Sequence, residues 1–112
     1  MARGFETKCL HLEEEEGDCS HFGALSYPIY QTATYAHPGV GQSTGFDYSR
    51  LQNPTREHLE KIVASLENGI DAFAFTTGMA AITMLMELFA PGDHLIVDED
   101  LYGGSIRLFS HV

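Results

Sequence analysis

With 112 residues, 44% of them hydrophobic, the chain has material for one modest domain and not for a multi-domain enzyme. Its formal charge of -10 and pI near 4.8, with only six Lys and Arg in all, exclude a nucleic-acid partner, which needs clustered cations to meet a phosphate backbone. The start, Met1-Ala2-Arg3-Gly4-Phe5-Glu6, lacks the apolar core of a signal sequence, and no stretch of bilayer length is free of charge; a cytoplasmic protein with no membrane partner is expected.

From the first residue to about residue 45, Gly, Pro, Ser and Thr are scattered among aromatics such as Tyr27, Tyr30 and Tyr35, with neither a helical nor an alternating period. The pattern predicts an extended arm over 1–53 that wraps another part of the molecule or another subunit. Within it, Glu13 to Glu16 with Asp18 form a self-repelling run that reads as a solvated surface loop. Cys9-Leu10-His11 and Cys19-Ser20-His21 offer two thiols and two imidazoles. The spacing within each pair is tighter than zinc sites use, so they read as ordinary loop residues, with no metal expected and the cysteines as free thiols.

Asn53-Pro54 is the first helix signal, a cap followed by proline at the first helical position. Leu59, Ile62, Val63 and Leu66 then recur at helical spacing and Asn68-Gly69 supplies a left-handed stop, which predicts an amphipathic helix over 54–67. Residues 54–112 are read as the beginning of a large α/β domain. Ala72-Phe73-Ala74-Phe75 reads as a buried strand, Thr76-Thr77-Gly78 as a turn, and Met79 to Phe89 as a helix ended by Pro91-Gly92. His94-Leu95-Ile96-Val97 reads as a second strand of a parallel, right-handed unit, and Tyr102-Gly103-Gly104 as a turn before a helix starting at Ser105.

Three of these segments carry chemistry. The N–H groups of Gly78 and Met79, at the start of a helix that follows a strand, form an anion seat, and the small Ala80-Ala81 pair lets a ligand come close. Arg50 offers a guanidinium fork matched to phosphate, and Tyr48, two residues earlier in an extended stretch, presents its hydroxyl on the same side. Tyr102 follows the carboxyl end of the second strand, the edge where open parallel sheets place ligands, and its flat ring can stack on a cofactor. Taken singly, the glycine turn reads as structural, Arg50 and Tyr48 as a surface arginine with a half-buried tyrosine, and Tyr102 as readily as a turn tyrosine; the joint pattern shifts the balance.

Glu6-Thr7-Lys8, Pro28-Ile29-Tyr30-Gln31-Thr32, Tyr48-Ser49-Arg50, Asn53-Pro54-Thr55, Gly78-Met79-Ala80-Ala81 and Tyr102-Gly103-Gly104, in this order, closely resemble the trans-sulfuration group of pyridoxal-phosphate enzymes of cysteine and methionine metabolism. The resemblance implies the α/β aspartate-aminotransferase-like fold (fold type I), here the N-terminal arm plus the start of the large-domain parallel sheet. It also implies pyridoxal 5'-phosphate as cofactor and a homotetramer. Gly78 and Met79 are expected to hold the cofactor phosphate, Tyr102 to stack on its ring, and Tyr48 and Arg50 to reach the neighbouring subunit's cofactor, with Tyr48 and Tyr102 in catalytic positions. Thr77 stands where the family usually has serine, a change that keeps the hydroxyl.

No match to the family's Schiff-base lysine is present: Lys8 lies in the arm and Lys61 on an amphipathic helix beside Glu57 and Glu60. The expected activity is γ-elimination or γ-replacement on sulfur-containing or O-activated amino acids, of cystathionine γ-synthase or γ-lyase type. The chain by itself is expected to be an inactive front portion of a larger protein. Methionine γ-lyase or a homocysteine-forming sulfhydrylase is the alternative; Gly104 stands where methionine γ-lyases commonly have cysteine. A non-catalytic piece that associates with full-length subunits is the alternative of another class. A stand-alone nucleotide-binding module lacks the G-x-G-x-x-G fingerprint it would need.

Overall fold

Asn53-Pro54-Thr55 does more than begin a helix. In the computed structural model, which describes residues 4–12 and 21–111, Asn53 adopts an extended conformation and its side chain accepts from the Thr55 N–H at 2.9 Å. That cap satisfies one of the donors a helix start leaves open. On the other side, Asn53 Nδ2 lies 3.1 Å from the Tyr30 carbonyl, 3.2 Å from the Tyr35 hydroxyl and 3.0 Å from Ser49 Oγ. The Thr55 hydroxyl accepts from the Tyr30 N–H at 2.8 Å. Two small polar side chains thus fasten the arm at residues 30 to 35, and the segment at Ser49, to the start of one helix.

The chain divides into two units, Met1–Phe73 and Ala74–Val112. In the first, α1 (Phe5–Lys8) is a single helical turn that packs against α2 (Pro54–Glu67). One turn is too short to show a period, which is why the arm reads from sequence as wholly extended. Helix α2 has the predicted span. Asn68 takes the left-handed conformation at φ 54° and the N–H of Gly69 closes on the Ala64 carbonyl at 2.8 Å, so the stop falls on the asparagine and not on the glycine. Glu57 and Lys61 pair at 2.7 Å one turn apart.

The aromatic residues of the arm also lean on α2. The Tyr27 ring stacks on His58 with centroids 3.8 Å apart, His21 meets Tyr27 edge-on, and the Tyr30 hydroxyl lies 3.0 Å from His21 Nδ1. Further along, residues 32–35 run beside 47–49. Thr34 and Tyr48 form an isolated antiparallel bridge, with Tyr35 N–H to the Asp47 carbonyl at 3.2 Å and Ser49 N–H to the Ala33 carbonyl at 2.9 Å. The intervening loop is closed by His37 Nδ1 on the Gln42 carbonyl at 2.7 Å and by the Ser43 hydroxyl on Asp47 Oδ1 at 2.7 Å.

The second unit holds α3 (Gly78–Met86) packed against α4 (Gly103–His111). Helix α3 ends at Met86 because the next three residues tighten into i to i+3 bonds, from Glu87 to Met84, Leu88 to Leu85 and Phe89 to Met86. Pro91-Gly92, expected to end this helix, instead forms a turn beyond its end, with Gly92 at φ 103°. The expected parallel sheet is not formed among the described residues: 72–75 and 94–97 carry no strand. A strand exists only through its ladder partner, and neither segment finds one here.

Few side chains are enclosed. Ala64 is the buried hydrophobic residue among those described, while Phe73, Leu88, Ile96 and many others stand open. None of the described helices is long and apolar enough to cross a membrane.

Candidate functional site

The residues singled out from the sequence fall into two groups, one in each unit. In the first, Tyr48 and Arg50 stand together: the Arg50 guanidinium carbon lies 5.0 Å from the centre of the Tyr48 ring, within cation–π range. The Tyr48 carbonyl accepts from the N–H groups of Leu51 at 2.9 Å and Gln52 at 3.0 Å, so the backbone turns directly after the tyrosine. Tyr48 is 37% exposed and Arg50 is exposed, which leaves both polar ends open to a ligand. Ser49 between them is anchored through its N–H, through its hydroxyl on the Thr32 carbonyl, and by Asn53.

In the second unit, Thr77 caps α3. It is extended, at φ -148° and ψ 154°, and its hydroxyl oxygen accepts from the Ala80 N–H at 3.0 Å, while its carbonyl accepts from Ala81 at 3.2 Å. The two N–H groups of the first helical positions, Gly78 and Met79, donate to nothing among the described residues. A Cβ placed on Gly78 would meet no atom within 4 Å beyond its chain neighbours and its own helix backbone. Two unspent donors at the positive end of a helix, with room beside Gly78, suit an anion such as a phosphate ester.

Tyr102 caps α4 with its backbone. Its carbonyl accepts from Ser105 at 2.8 Å and from Ile106 at 3.2 Å, and its ring is 74% exposed. The starts of α3 and α4 meet: the Ser105 hydroxyl donates to Met79 Sδ at 3.7 Å. The structure therefore brings Gly78, Met79 and Tyr102 into one neighbourhood, as α3 and α4 require. Ser105 joins them without having been singled out, because its burial depends on the approach of α3 and leaves no mark in local sequence.

Of the possible metal ligands, Cys9 is exposed, and no group of three or more His, Cys, Asp or Glu capable of holding an ion occurs among the described residues. Cys19 and the acidic run Glu13 to Glu16 with Asp18 lie outside the described residues. Lys61 is engaged with Glu57, and Lys8 belongs to α1.

The family model described as Cys/Met metabolism PLP-dependent enzyme matches residues 6–112. The chain is 48% identical over 111 residues to the cystathionine gamma-synthase/O-acetylhomoserine (thiol)-lyase of Bacillus subtilis, covering 99% of this chain and 29% of that protein. It is 52% identical over 90 residues to the cystathionine gamma-lyase of the same organism, 80% of this chain and 24% of that one. Among solved structures, cystathionine gamma synthase from Xanthomonas oryzae pv. oryzae, in complex with aminoacrylate and cysteine, superposes with a TM-score of 0.84 at 33% identity over 98% of this chain and 28% of its own. Cystathionine gamma-lyase from yeast gives 0.80 at 32% identity, again over 98% of this chain and 28% of the other.

Proposed function

Since the chain belongs to the Cys/Met metabolism PLP-dependent enzyme family, we propose that it is the part of a trans-sulfuration enzyme that seats the phosphate of pyridoxal 5'-phosphate and supports its ring. The observation that carries this reading is the pair of unspent N–H donors at exposed Gly78 and half-buried Met79, next to the turn that bears Tyr102. The phosphate accepts from the two N–H groups and gains from the α3 dipole. The Tyr102 phenol lies against the flat ring. Tyr48 and Arg50, already paired, supply a hydroxyl and a fork of N–H donors to the phosphate held by another copy of the chain, in a homotetramer whose arms cross between subunits. The parallel sheet expected at 72–75 and 94–97 forms when both segments gain ladder partners in the assembled fold-type-I domain.

When bound, the cofactor supplies an electron-withdrawing ring that acidifies the substrate's Cα–H and permits loss or replacement of a γ-substituent. This chain's own residues bind, orient and screen; neither of its lysines is placed to exchange with a substrate amine, so turnover by the chain alone is negligible. The reaction is of cystathionine γ-synthase or γ-lyase type. The double name of the Bacillus subtilis relative keeps a sulfhydrylase reaction as the nearest alternative.

Titration of the full chain with pyridoxal phosphate, followed by induced circular dichroism and by competition with inorganic phosphate, tests the reading. Saturable binding displaced by phosphate supports it; a signal indifferent to phosphate, as expected from adventitious reaction with Lys8 or Lys61, overturns it.

A second reading rests on the open apolar side chains: the chain associates with full-length subunits and does no chemistry. Phe73, Leu88 and Ile96 are 74%, 76% and 97% exposed, which is costly in water without a cover. The full chain is expected to bind a hydrophobic dye and to co-purify with a full-length relative. A monomer that binds no dye and melts in one sharp step rejects this reading.

A further inference from the structure

The loop from His37 to Asp47 holds a histidine with both ring nitrogens set against oxygen. His37 Nδ1 stands 2.7 Å from the Gln42 carbonyl oxygen, and Nε2 stands 3.5 Å from Asp47 Oδ1. A carbonyl oxygen only accepts, so Nδ1 carries a proton whether the ring is neutral or charged. The neutral imidazole has no second proton, and its Nε2 lone pair then faces a carboxylate. The imidazolium turns that repulsion into an attraction. The titratable group facing His37 across the loop is Asp47, and its other neighbour, Gln42, presents a neutral carbonyl. The same Asp47 oxygen accepts from the Ser43 hydroxyl at 2.7 Å, and Ser43 Oγ accepts from the Gly45 N–H at 3.1 Å. One carboxylate oxygen thus gathers the loop.

Asp47 also begins the segment that carries half of the candidate site. Its carbonyl accepts from the Tyr35 N–H at 3.2 Å, beside the Thr34–Tyr48 bridge, and Tyr48 follows directly with the Arg50 guanidinium over its ring. We propose that His37 is a positioning residue for Tyr48 and Arg50, a latch that closes on Asp47 when its ring takes up a proton and loosens when the proton leaves. The inference rests on the reading of that pair as phosphate contacts and adds a control over where they stand. Imidazoles as a class change charge between about pH 5 and 8, so the attraction is present at the acid end of that range and lost as pH rises through it.

The test uses the full chain without cofactor. At the alkaline end of the range, nitrogen-resolved NMR of the His37 ring should show the neutral tautomer with its proton on Nδ1. Hydrogen-exchange protection of the Tyr35 and Ser49 N–H groups, corrected for the intrinsic pH dependence of exchange, should fall about threefold from the acid to the alkaline end, the scale of an exposed ion pair. The Tyr48 ring resonances should move on the same curve. His37→Gln flattens both profiles, while His37→Arg, a fork charged throughout, keeps the acid-side values at every pH. A neutral ring protonated on Nε2, protection that is constant with pH in the wild type, or a profile that survives in His37→Gln overturns the proposal. So do Tyr48 resonances that stay in place while the loop loosens. Pyridoxal phosphate takes no part in these measurements, so their failure leaves the phosphate seat at Gly78 and Met79 to its own test.

Discussion

Asn53→Ala is expected to destabilise the chain by about 3 kcal/mol, the largest single effect on the fold. Loss of the cap on Thr55 costs about 1 kcal/mol. The amide nitrogen serves two of three acceptors at a time, Tyr30 O, Tyr35 Oη and Ser49 Oγ, and each bond lost in this half-buried place adds about 1 kcal/mol. The measurement is urea denaturation of wild type and variant, compared at equal slope. Asn53→Asp separates the two roles, since its carboxylate still caps Thr55 but faces the Tyr30 carbonyl without a proton to give. A loss between those of wild type and Asn53→Ala is expected; an alanine variant within 0.5 kcal/mol of wild type, about the scatter of a neutral surface change, would show that Asn53 is not the fastening point. The consequence reaches the site. Ser49 sits between Tyr48 and Arg50, and without Asn53 the pair loses one of the bonds that holds its turn.

How much of this could be read beforehand follows the range of the interactions. Helix α2 was legible to the residue because its cap, its apolar spacing and its stop are all local signals. The Thr77-Gly78 turn was legible for the same reason, as was a helix beginning near Ser105. What Asn53 does with its nitrogen was not, since its three acceptors lie 4 to 23 positions away in sequence. The helix at Phe5–Lys8 rests on contact with α2, and the extent of α3 on the tightening of its last turn. Strand signals at 72–75 and 94–97 describe what those residues favour, but a ladder also needs a neighbour, and the described residues offer none. Gly78, Met79 and Tyr102 could be named from motif and context; Ser105 could not, because a serine in a first helical turn looks the same whether solvent or a methionine sulfur lies opposite.

Gly78→Pro is the sharpest test of the phosphate seat, because it deletes one N–H donor and leaves the helix intact. Proline suits the first helical position, where the N–H makes no helix bond. It also restricts the residue before it to extended backbone, and Thr77 is already there at φ -148° and ψ 154°. Beyond its chain neighbours and its own helix backbone, no atom stands within 4 Å of a Cβ at Gly78, so the side chain has room on that side. A hydrogen bond from this N–H to a charged phosphate is worth about 2 kcal/mol, so affinity for pyridoxal phosphate should fall about 30-fold. Gly78→Ala keeps the donor and isolates the effect of the added methyl. Pyridoxal without its phosphate should bind wild type and Gly78→Pro alike, since the deleted donor has nothing to meet. Equal affinity of wild type and Gly78→Pro for pyridoxal phosphate, with helix content unchanged, would place the ester away from the start of α3. The guanidinium of Arg50 would then have to hold it without the helix dipole, and the neighbourhood of Met79, Tyr102 and Ser105 would be packing alone.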